Sequence, residues 1–306
     1  MLLEDVAHFC AHNEYDRPRV SAETYRSYRI AVARLIEFFG DVEVESISTS
    51  DLLDWQEWLD ERPASSPTTD NSYKRTIRAC WNFMRSRDIA VCNTDGIWRF
   101  RKIQRGVKSI SRRNYFRMMA FSGIRETLML ILANQSARRR GGLARLQVDD
   151  LKFITFDNGR EGVVGHTLEK GEKPQLLLAD EEAVWALKLW LHIRENFLQL
   201  HKVEDHGYLF INLHDGSPLS EHAMSQSIWR LKERAGIPAN EPASLHAQRH
   251  YRAKELPKVL SLPEVRDILG HESAGTTANM YAVNGEQELI DAFFSRTDRP
   301  GQQSAG

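Results

Sequence analysis

Apolar side chains recur every three or four positions through the first hundred residues, which is the spacing of helices that bury one face. The clearest stripe runs through residues 21–39, where Ser21 can cap the start of a helix and Gly40 can end it. Two further stripes occupy residues 50–62 and 71–87, and the loop between them is rich in Ser, Thr and Pro. The N-terminal part of the chain is therefore predicted to be a small all-helical domain.

The pattern changes in the second half of the chain. Residues 151–178 contain short β-prone runs separated by turns, which predicts a small antiparallel hairpin sheet. Helical periodicity precedes this region at residues 115–133 and returns after it at residues 180–200 and 220–235. This half is therefore expected to be a mixed α/β domain.

A short cationic segment with little apolar periodicity separates the two patterns. We expect a helical domain over residues 1–104, a basic linker over residues 105–113 and the mixed domain over residues 114–306. The chain length of 306 residues fits two domains, and the predicted fold class is mainly α with a small antiparallel sheet.

Charge is segregated along the chain although the net charge is only −1. Basic residues exceed acidic ones by 15 over residues 71–145, whereas the segments before and after carry −9 and −7. Such a block is typical of a surface that binds a polyanion, although these arginines could instead pair with the acidic flanks inside the fold. The cations predicted to contact such a polyanion are Lys74, Arg75, Arg78, Arg85, Arg101, Lys102, Arg105, Lys108, Arg112 and Arg113.

Composition argues against a secreted, membrane-spanning or zinc-cysteine protein. No run of about 18 apolar residues is present, and Glu4 and Asp5 lie where a secretory signal would be basic and then apolar. Cys10, Cys80 and Cys92 are far apart and lack the spacing of a metal site. We therefore expect a cytoplasmic protein with reduced thiols and no membrane segment.

Two histidines and an arginine share one face of a predicted helix. His246, Arg249 and His250 are spaced i, i+3 and i+4, so their side chains could grip a phosphate and exchange a proton beside it. Zinc is the alternative ligand because two histidines at i, i+4 can bind it. The adjacent arginine disfavours zinc, since a second cation beside it would be repelled.

A histidine and a tyrosine follow at a fixed spacing. His271 comes directly after Gly270, which can end a helix, and Tyr281 lies ten residues later. A phenol, with a pKa of about 10, needs a base or a cationic field to act as a nucleophile. A single tyrosine more often serves packing, so the preceding histidines and arginine are what make Tyr281 a candidate.

Two other cationic groups complete the set. Three consecutive arginines, residues 138–140, fall between two apolar segments, where one of them could bind an anion inside the fold. Lys170 and Lys173 lie in a turn between two predicted strands and could reach into a groove. Solvation or salt bridges would be the ordinary explanation for each group on its own.

In this order, the four groups resemble the motifs of the tyrosine recombinase (phage integrase) family. The first family arginine lies in a T-G-L-R-x-x-E-L-x-x-L-x-x-x-D pattern, and aligning Leu146 and Asp150 with its last Leu and Asp places that arginine at Arg139. The other matches are residues 169–173 to G-K-G-x-K, residues 246–250 to H-x-L-R-H, and residues 269–281 to the L-G-H box that ends in Tyr.

The resemblance covers residues 115–290 by motif and residues 15–105 more loosely, as a helical, SAM-like core-binding domain joined to a catalytic domain. Three positions depart from it. Gly142 stands where the family has Glu, Gln248 stands where it has Leu, and Arg138 is a rival for the role of Arg139.

The resemblance implies DNA strand exchange through a 3′-phosphotyrosine, without metal, ATP or another cofactor. Tyr281 would attack a backbone phosphate that Arg139 and Arg249 hold, Lys170 would protonate the leaving oxygen, and His246 would accept the proton of the tyrosine. The residues that carry over as catalytic are Arg139, Lys170, His246, Arg249, His271 and Tyr281, with His250 and Asp150 as supporting residues.

The resemblance also implies a homotetramer on two DNA sites, in which a C-terminal helix at residues 286–295 docks into a neighbouring subunit. An amphipathic helix of this kind could equally cap its own domain. Two alternatives for the activity are a type IB topoisomerase-like enzyme and a catalytically inactive DNA-binding regulator, the latter because of Gly142 and Gln248.

Overall fold

A computed structural model of the chain describes residues 1–63, 66–102, 108–156, 159–168 and 174–269, together with residues 290 and 293. The chain divides into two compact units, Met1–Gly106 and Val107–Gly306. In the described ranges both units are largely helical, and the second also contains a three-stranded antiparallel sheet. The predicted fold class is therefore confirmed.

The first unit is built from helices whose apolar faces meet in one core. Ser21 caps the second helix by accepting a hydrogen bond from the Thr24 N–H, and Gly40 ends it with a positive φ of 75°. Trp55 and Trp81 are completely buried at the centre of the core. The helices are α1 (Leu3–Ala11), α2 (Ala22–Phe39), α3 (Thr49–Glu61) and α4 (Pro67–Arg85).

A network of ion pairs lies inside this unit. Lys74 is completely buried, and its Nζ lies 2.8 Å and 2.9 Å from the two carboxylate oxygens of Asp60. Arg101 lies 3.2 Å from the same carboxylate and 2.5 Å from that of the buried Asp70. Arg62 also pairs with Asp70, at 3.4 Å.

The complete burial of Lys74 argues against the prediction that it contacts DNA. Positions 74, 77, 81 and 84 form the buried stripe of α4, so the lysine lies on the face that packs against the core. An ammonium group can be buried there because Asp60 supplies the opposite charge and the Arg99 carbonyl, 3.1 Å from Nζ, accepts a further hydrogen bond.

The second unit places its helices around a sheet of order β1-β2-β3. In the described residues these elements are α5 (Arg112–Phe121), α6 (Ile124–Gln135), α7 (Arg140–Arg145), β1 (Leu151–Thr155), β2 (Glu161–Leu168), β3 (Pro174–Ala179), α8 (Glu181–His201), α9 (Glu221–Arg234), α10 (Leu245–Glu255) and α11 (Leu262–Leu269). Among the helices of both units, none is long and apolar enough to cross a membrane.

The end of the predicted linker belongs to this second unit. Ile110 is buried in its core and donates its backbone N–H to the Ala247 carbonyl at 3.2 Å. Ser111 then caps α5, whose first residues are Arg112 and Arg113. The apolar Ile110 and the capping serine explain why the chain is already ordered against the second core at this point.

A smaller apolar cluster joins the sheet to α11 and to the C-terminal segment. Ile290 and Phe293 are buried in it beside Val265 and Ile268 of α11. The guanidinium of Arg252 lies 5.2 Å from the centre of the Phe293 ring. Of the two alternatives for the C-terminal segment, the burial of these side chains favours a cap on its own domain.

We expect the substitution Lys74→Ala to lower the free energy of unfolding by about 3 kcal/mol, because it leaves the Asp60 carboxylate without its buried partner. Arg78→Ala, on the exposed side of the same helix, should change it by less than about 0.5 kcal/mol. Urea unfolding followed by tryptophan fluorescence measures both. Unchanged stability with weakened DNA binding in Lys74→Ala would restore the DNA-contact interpretation.

Candidate active site

The N-terminal half of α10 carries the two histidines and the arginine. Ser244 caps the helix by accepting a hydrogen bond from the Ala247 N–H at 3.2 Å, which fixes the direction of the first turn. His246 is exposed on this turn, whereas Arg249 is only 4% exposed. The exposed first turn of α10 is also the positive end of the helix dipole, which favours an anion.

Arg249 connects α10 to two other parts of the site. One terminal nitrogen of its guanidinium donates to the Ala137 carbonyl, and the other donates to the Leu269 carbonyl at 2.7 Å. Ala137 lies two residues before Arg139, and Leu269 is the last residue of α11. The arginine thus brings together the three motifs that the sequence places far apart.

The three consecutive arginines have three different environments. Arg138 is completely buried, Arg139 is exposed at the residue before α7, and Arg140 is exposed and pairs with Glu221 at 3.2 Å. A ligand that approaches from solvent can reach Arg139 but not the buried Arg138. The structure therefore favours Arg139 over Arg138 as the anion-binding residue of this segment.

His246 lies in a cationic environment. Partial desolvation is the largest cause that lowers its pKa, and the charges of His250, Arg249, Arg139 and Arg140 lower it further. The His246 and His250 rings meet edge to face with centroids 4.2 Å apart. This environment keeps His246 neutral, so it can accept a proton, and the same positive field disfavours a zinc ion.

His250 is half-buried behind His246. Its pKa is also lowered, mainly by desolvation and then by the charges of Arg249 and Lys254. Asp150, the other predicted supporting residue, accepts a hydrogen bond from the Gln147 N–H at 2.9 Å. Its carboxylate closes the turn that leads from α7 into β1, a local structural role.

A carboxylate from α9 lies against α7, where the family pattern has Glu and this chain has the buried Gly142. Glu221 contacts Arg140 and Arg145, each at 3.2 Å. A β-carbon on Gly141 would lie 2.6 Å from a Glu221 oxygen, so a larger residue at position 141 would require the Glu221 side chain to shift. Sequence analysis missed Glu221, because no motif links it to residues 76 or more positions away.

Gln248 occupies the position of the family leucine and is completely buried. Its side-chain oxygen accepts a hydrogen bond from the Asn134 amide at 3.1 Å, which ties α10 to α6. The side-chain nitrogen of Gln248 is buried and has no hydrogen-bond partner among the described residues, so the polar substitution is matched at its oxygen only.

Lys170 lies outside the described residues, between β2 and β3. Leu168, at the end of β2, pairs in register with Pro174, and its carbonyl accepts from Arg145 at 3.0 Å. On β3, the Gln175 side chain accepts from Arg138 at 3.5 Å. Arg138 and Arg145 therefore contact the strands before and after residues 169–173.

His271 and Tyr281 also lie outside the described residues, within a segment whose two flanks contact α10. Leu269, before the segment, accepts from Arg249, and Phe293, after it, lies under Arg252. Arg252 was not singled out by sequence analysis, although it falls three positions after Arg249 on the same helix.

Most of the cations predicted to contact DNA are exposed where the structure describes them. These are Arg75, Arg78, Arg85, Lys102, Lys108, Arg112 and Arg113. Arg101 is instead half-buried in the ion network of the first unit, and Arg105 lies outside the described residues. Arg75, Arg78 and Arg85 share one side of α4, here called the α4 basic face.

Comparison with known sequences assigns the class of protein. The sequence model of the Phage integrase family matches residues 108–288, more than half of the chain. The chain therefore belongs to the phage integrase family, the tyrosine recombinases.

Two individual relatives agree with this assignment. Tyrosine recombinase XerD of Rickettsia conorii is 26% identical over 252 residues, which cover 76% of this chain and 78% of the relative. Tyrosine recombinase XerC of Corynebacterium glutamicum is 28% identical over 171 residues, which cover 56% of this chain and 50% of the relative. The chain thus spans half the length of the XerC relative that it matches.

Solved structures show the same fold. A lambda integrase tetramer bound to a Holliday junction superimposes with a TM-score of 0.65 at 14% identity and covers 92% of this chain and 80% of its own. The XerH site-specific recombinase in a pre-cleavage complex with its difH substrate gives a TM-score of 0.60 at 18% identity, with 81% and 73% covered. At these identities the likeness concerns the fold alone.

We expect the pKa of His246 to lie below its ordinary value of 6.5 and to rise in Arg139→Ala, because one of the charges that repel the proton is removed. NMR titration of the imidazole in both proteins measures this shift. As pH falls, the unfolded state takes up the proton first because its His246 pKa is higher. His246 should therefore lower the free energy of unfolding below about pH 6.5 and leave it unchanged above that pH. A His246 pKa at or above 6.5 in the unaltered protein contradicts this electrostatic picture.

Proposed function

We propose that this chain is a site-specific DNA recombinase that cuts and rejoins strands through a 3′-phosphotyrosine at Tyr281. The observation that carries the proposal is the set of arginine contacts around Arg139 and Arg249. Arg145 and Arg138 contact the strands before and after Lys170, and Arg249 and Arg252 contact both flanks of the segment that contains Tyr281. These contacts support convergence of the predicted nucleophile, acid and phosphate-binding arginines.

The reaction would proceed by displacement at a backbone phosphate. The Tyr281 oxygen bonds to phosphorus while the bond to the 5′ oxygen breaks, and the ester energy is retained in the new phosphotyrosine. His246 takes the phenol proton, and Lys170 gives a proton to the departing 5′ oxygen. Arg139 and Arg249 neutralise the charge that develops on the non-bridging oxygens, to which His271 adds a hydrogen bond.

The lowered pKa of His246 supports its assigned role. A protonated imidazole could not accept the phenol proton, and burial, followed by the charges of His250 and the nearby arginines, favours the neutral imidazole. Once phosphate is bound, its negative charge would offset this field and make uptake of the proton by His246 easier.

Double-stranded DNA is the proposed partner, held by the α4 basic face and by the exposed cations at residues 108–113. Phosphate contacts of this kind position the protein without reading the sequence. We further propose a homotetramer on paired sites, a state supported by the similarity of fold to the lambda integrase tetramer on a Holliday junction. The interface must then use surfaces other than the buried Ile290 and Phe293.

We expect a nicked suicide DNA substrate to trap a covalent adduct that survives SDS, and Tyr281→Phe to abolish it while DNA binding persists. Arg139→Ala should slow adduct formation about 10²- to 10³-fold, the loss typical of one transition-state donor. Tyr15→Phe, which alters an exposed tyrosine of the first unit, is the matched control and should form adduct at the normal rate. An adduct in Tyr281→Phe would show that the nucleophile is another residue.

The same assay separates the competing activities. DNA footprinting without any adduct from the unaltered protein identifies an inactive regulator. Relaxation of supercoiled plasmid of any sequence by a monomer identifies a topoisomerase-like enzyme, whereas a recombinase requires paired sites.

A second prediction concerns the salt dependence of DNA binding. If the α4 basic face contacts three phosphates, replacing Arg75, Arg78 and Arg85 with Ala should make the slope of log K against log salt shallower by about 2.7, since each neutralised phosphate contributes about 0.9. Replacing the exposed Arg26 and Arg29 of α2 with Ala should leave the slope unchanged. Equal slopes for the triple variant and the unaltered protein would exclude this face from the DNA interface.

A further inference from the structure

We propose that Arg138 is a positioning residue of the candidate site, which ties the C-terminal end of α11 to the segment of Arg139 and so orients the chain that leads to Tyr281. This inference rests on the proposed function. The contacts that support it involve described residues only, and they surround a side chain that the motif comparison treats as a rival of Arg139.

Arg138 is a completely buried cation in the second unit. Its Nε donates to the Ser136 carbonyl at 3.0 Å, and one terminal nitrogen donates to the Ile268 carbonyl in the last turn of α11. The other terminal nitrogen lies 3.5 Å from the Gln175 side-chain oxygen on β3. One planar group therefore contacts the segment before Arg139, the strand after the Lys170 turn, and the helix that precedes His271.

The residue type matters because the family pattern has leucine at this position. A leucine would fill the space with apolar contacts alone and would leave the carbonyl of Ile268 without this donor. Carbonyls in the last turn of a helix have no intrahelical partner, and a cation there also interacts favourably with the helix dipole. Burying a guanidinium is costly unless its N–H groups have acceptors. Arg138 therefore favours the one arrangement in which Ser136, Ile268 and Gln175 all supply acceptors to it.

Arg138 acts together with Arg249. The two arginines take the consecutive carbonyls of Ile268 and Leu269, and Arg249 also takes the carbonyl of Ala137. Residues 136–139, α10 and the end of α11 are thereby cross-linked around the phosphate-binding side chains. His271 and Tyr281 lie two and twelve residues beyond Leu269, so a shift of this helix end would displace the nucleophile relative to the phosphate.

The test is Arg138→Leu, which installs the family residue, measured for DNA affinity and for the single-turnover rate of adduct formation. We expect DNA affinity to stay within about twofold and adduct formation to slow about 10- to 100-fold, because a displacement of about 1 Å can cost that much in a positioned reaction. Arg194→Leu is the matched control. It removes another buried arginine of the same unit, which pairs with Asp205. This variant should be less stable, but at temperatures below its melting transition it should form the adduct at the normal rate.

A substrate with sulfur at the 5′ leaving position separates the two routes through which Arg138 could act. A thiolate departs without a proton from a general acid, so this substrate should rescue Lys170→Ala. It should not rescue Arg138→Leu if Arg138 positions the tyrosine segment. Full rescue of Arg138→Leu would overturn the proposal, because it would mean that the residue acts on the Lys170 turn through Gln175.

If Arg138→Leu does not fold, Arg138→Lys takes its place, since it keeps the charge but not the fork of donors. Arg138→Lys should slow adduct formation with unchanged affinity, and a normal rate would overturn the proposal. Absence of an adduct from the unaltered protein would instead reject the proposed function. A normal adduct rate in a folded Arg138→Leu rejects only the role of Arg138.

Discussion

Hydrogen bonds from guanidinium groups to backbone carbonyls hold the candidate site together. Arg249 donates to Ala137 and Leu269, Arg138 donates to Ile268, and Arg145 donates to Leu168. Each of these carbonyls lies at the end of an element or in an irregular segment, where the backbone needs an external donor. An arginine can serve two segments at once because its donors lie in one rigid plane. The site is therefore organised by backbone contacts that are independent of the side chains at the accepting positions.

The central basic block has two physically different parts. Lys74, Arg101 and Arg138 are used inside the fold, where carboxylates or carbonyls replace water around them. The α4 basic face stays in solvent, with Arg75 stacked 5.2 Å from the Phe100 ring centre. Of the cations that give residues 71–145 an excess of 15 positive charges, some therefore pair inside the fold and others remain available to a polyanion. Only packing decides between them, because the environment of a lysine or arginine is a tertiary property.

Local signals predicted the elements well where a cap and an apolar stripe coincide. Ser21 caps α2 as the sequence predicts, Asp180 and Ser220 cap α8 and α9 in the same way, and Ser261 and Glu264 form a capping box at the start of α11. At α3, Ser48 and Asp51 form a further reciprocal pair. The motifs also identified Arg139, His246 and Arg249, which lie near one another in the structure. Burial of Lys74 and the approach of Glu221 to α7 depend on contacts between distant segments, which periodicity does not encode.

Two of the departures from the family pattern, Gly142 and Gln248, lie on helices that receive polar contacts from other elements. Glu221 brings a carboxylate from α9 to α7, where it pairs with Arg140 and Arg145. The Gln248 side-chain oxygen accepts a hydrogen bond from Asn134, whereas its nitrogen has no partner among the described residues. A motif describes one way of supporting reacting groups, whereas the reaction depends on where those groups lie. Gly142 and Gln248 therefore give no physical reason to regard the site as inactive, since the arginines and His246 that they flank retain a cationic, anion-binding arrangement.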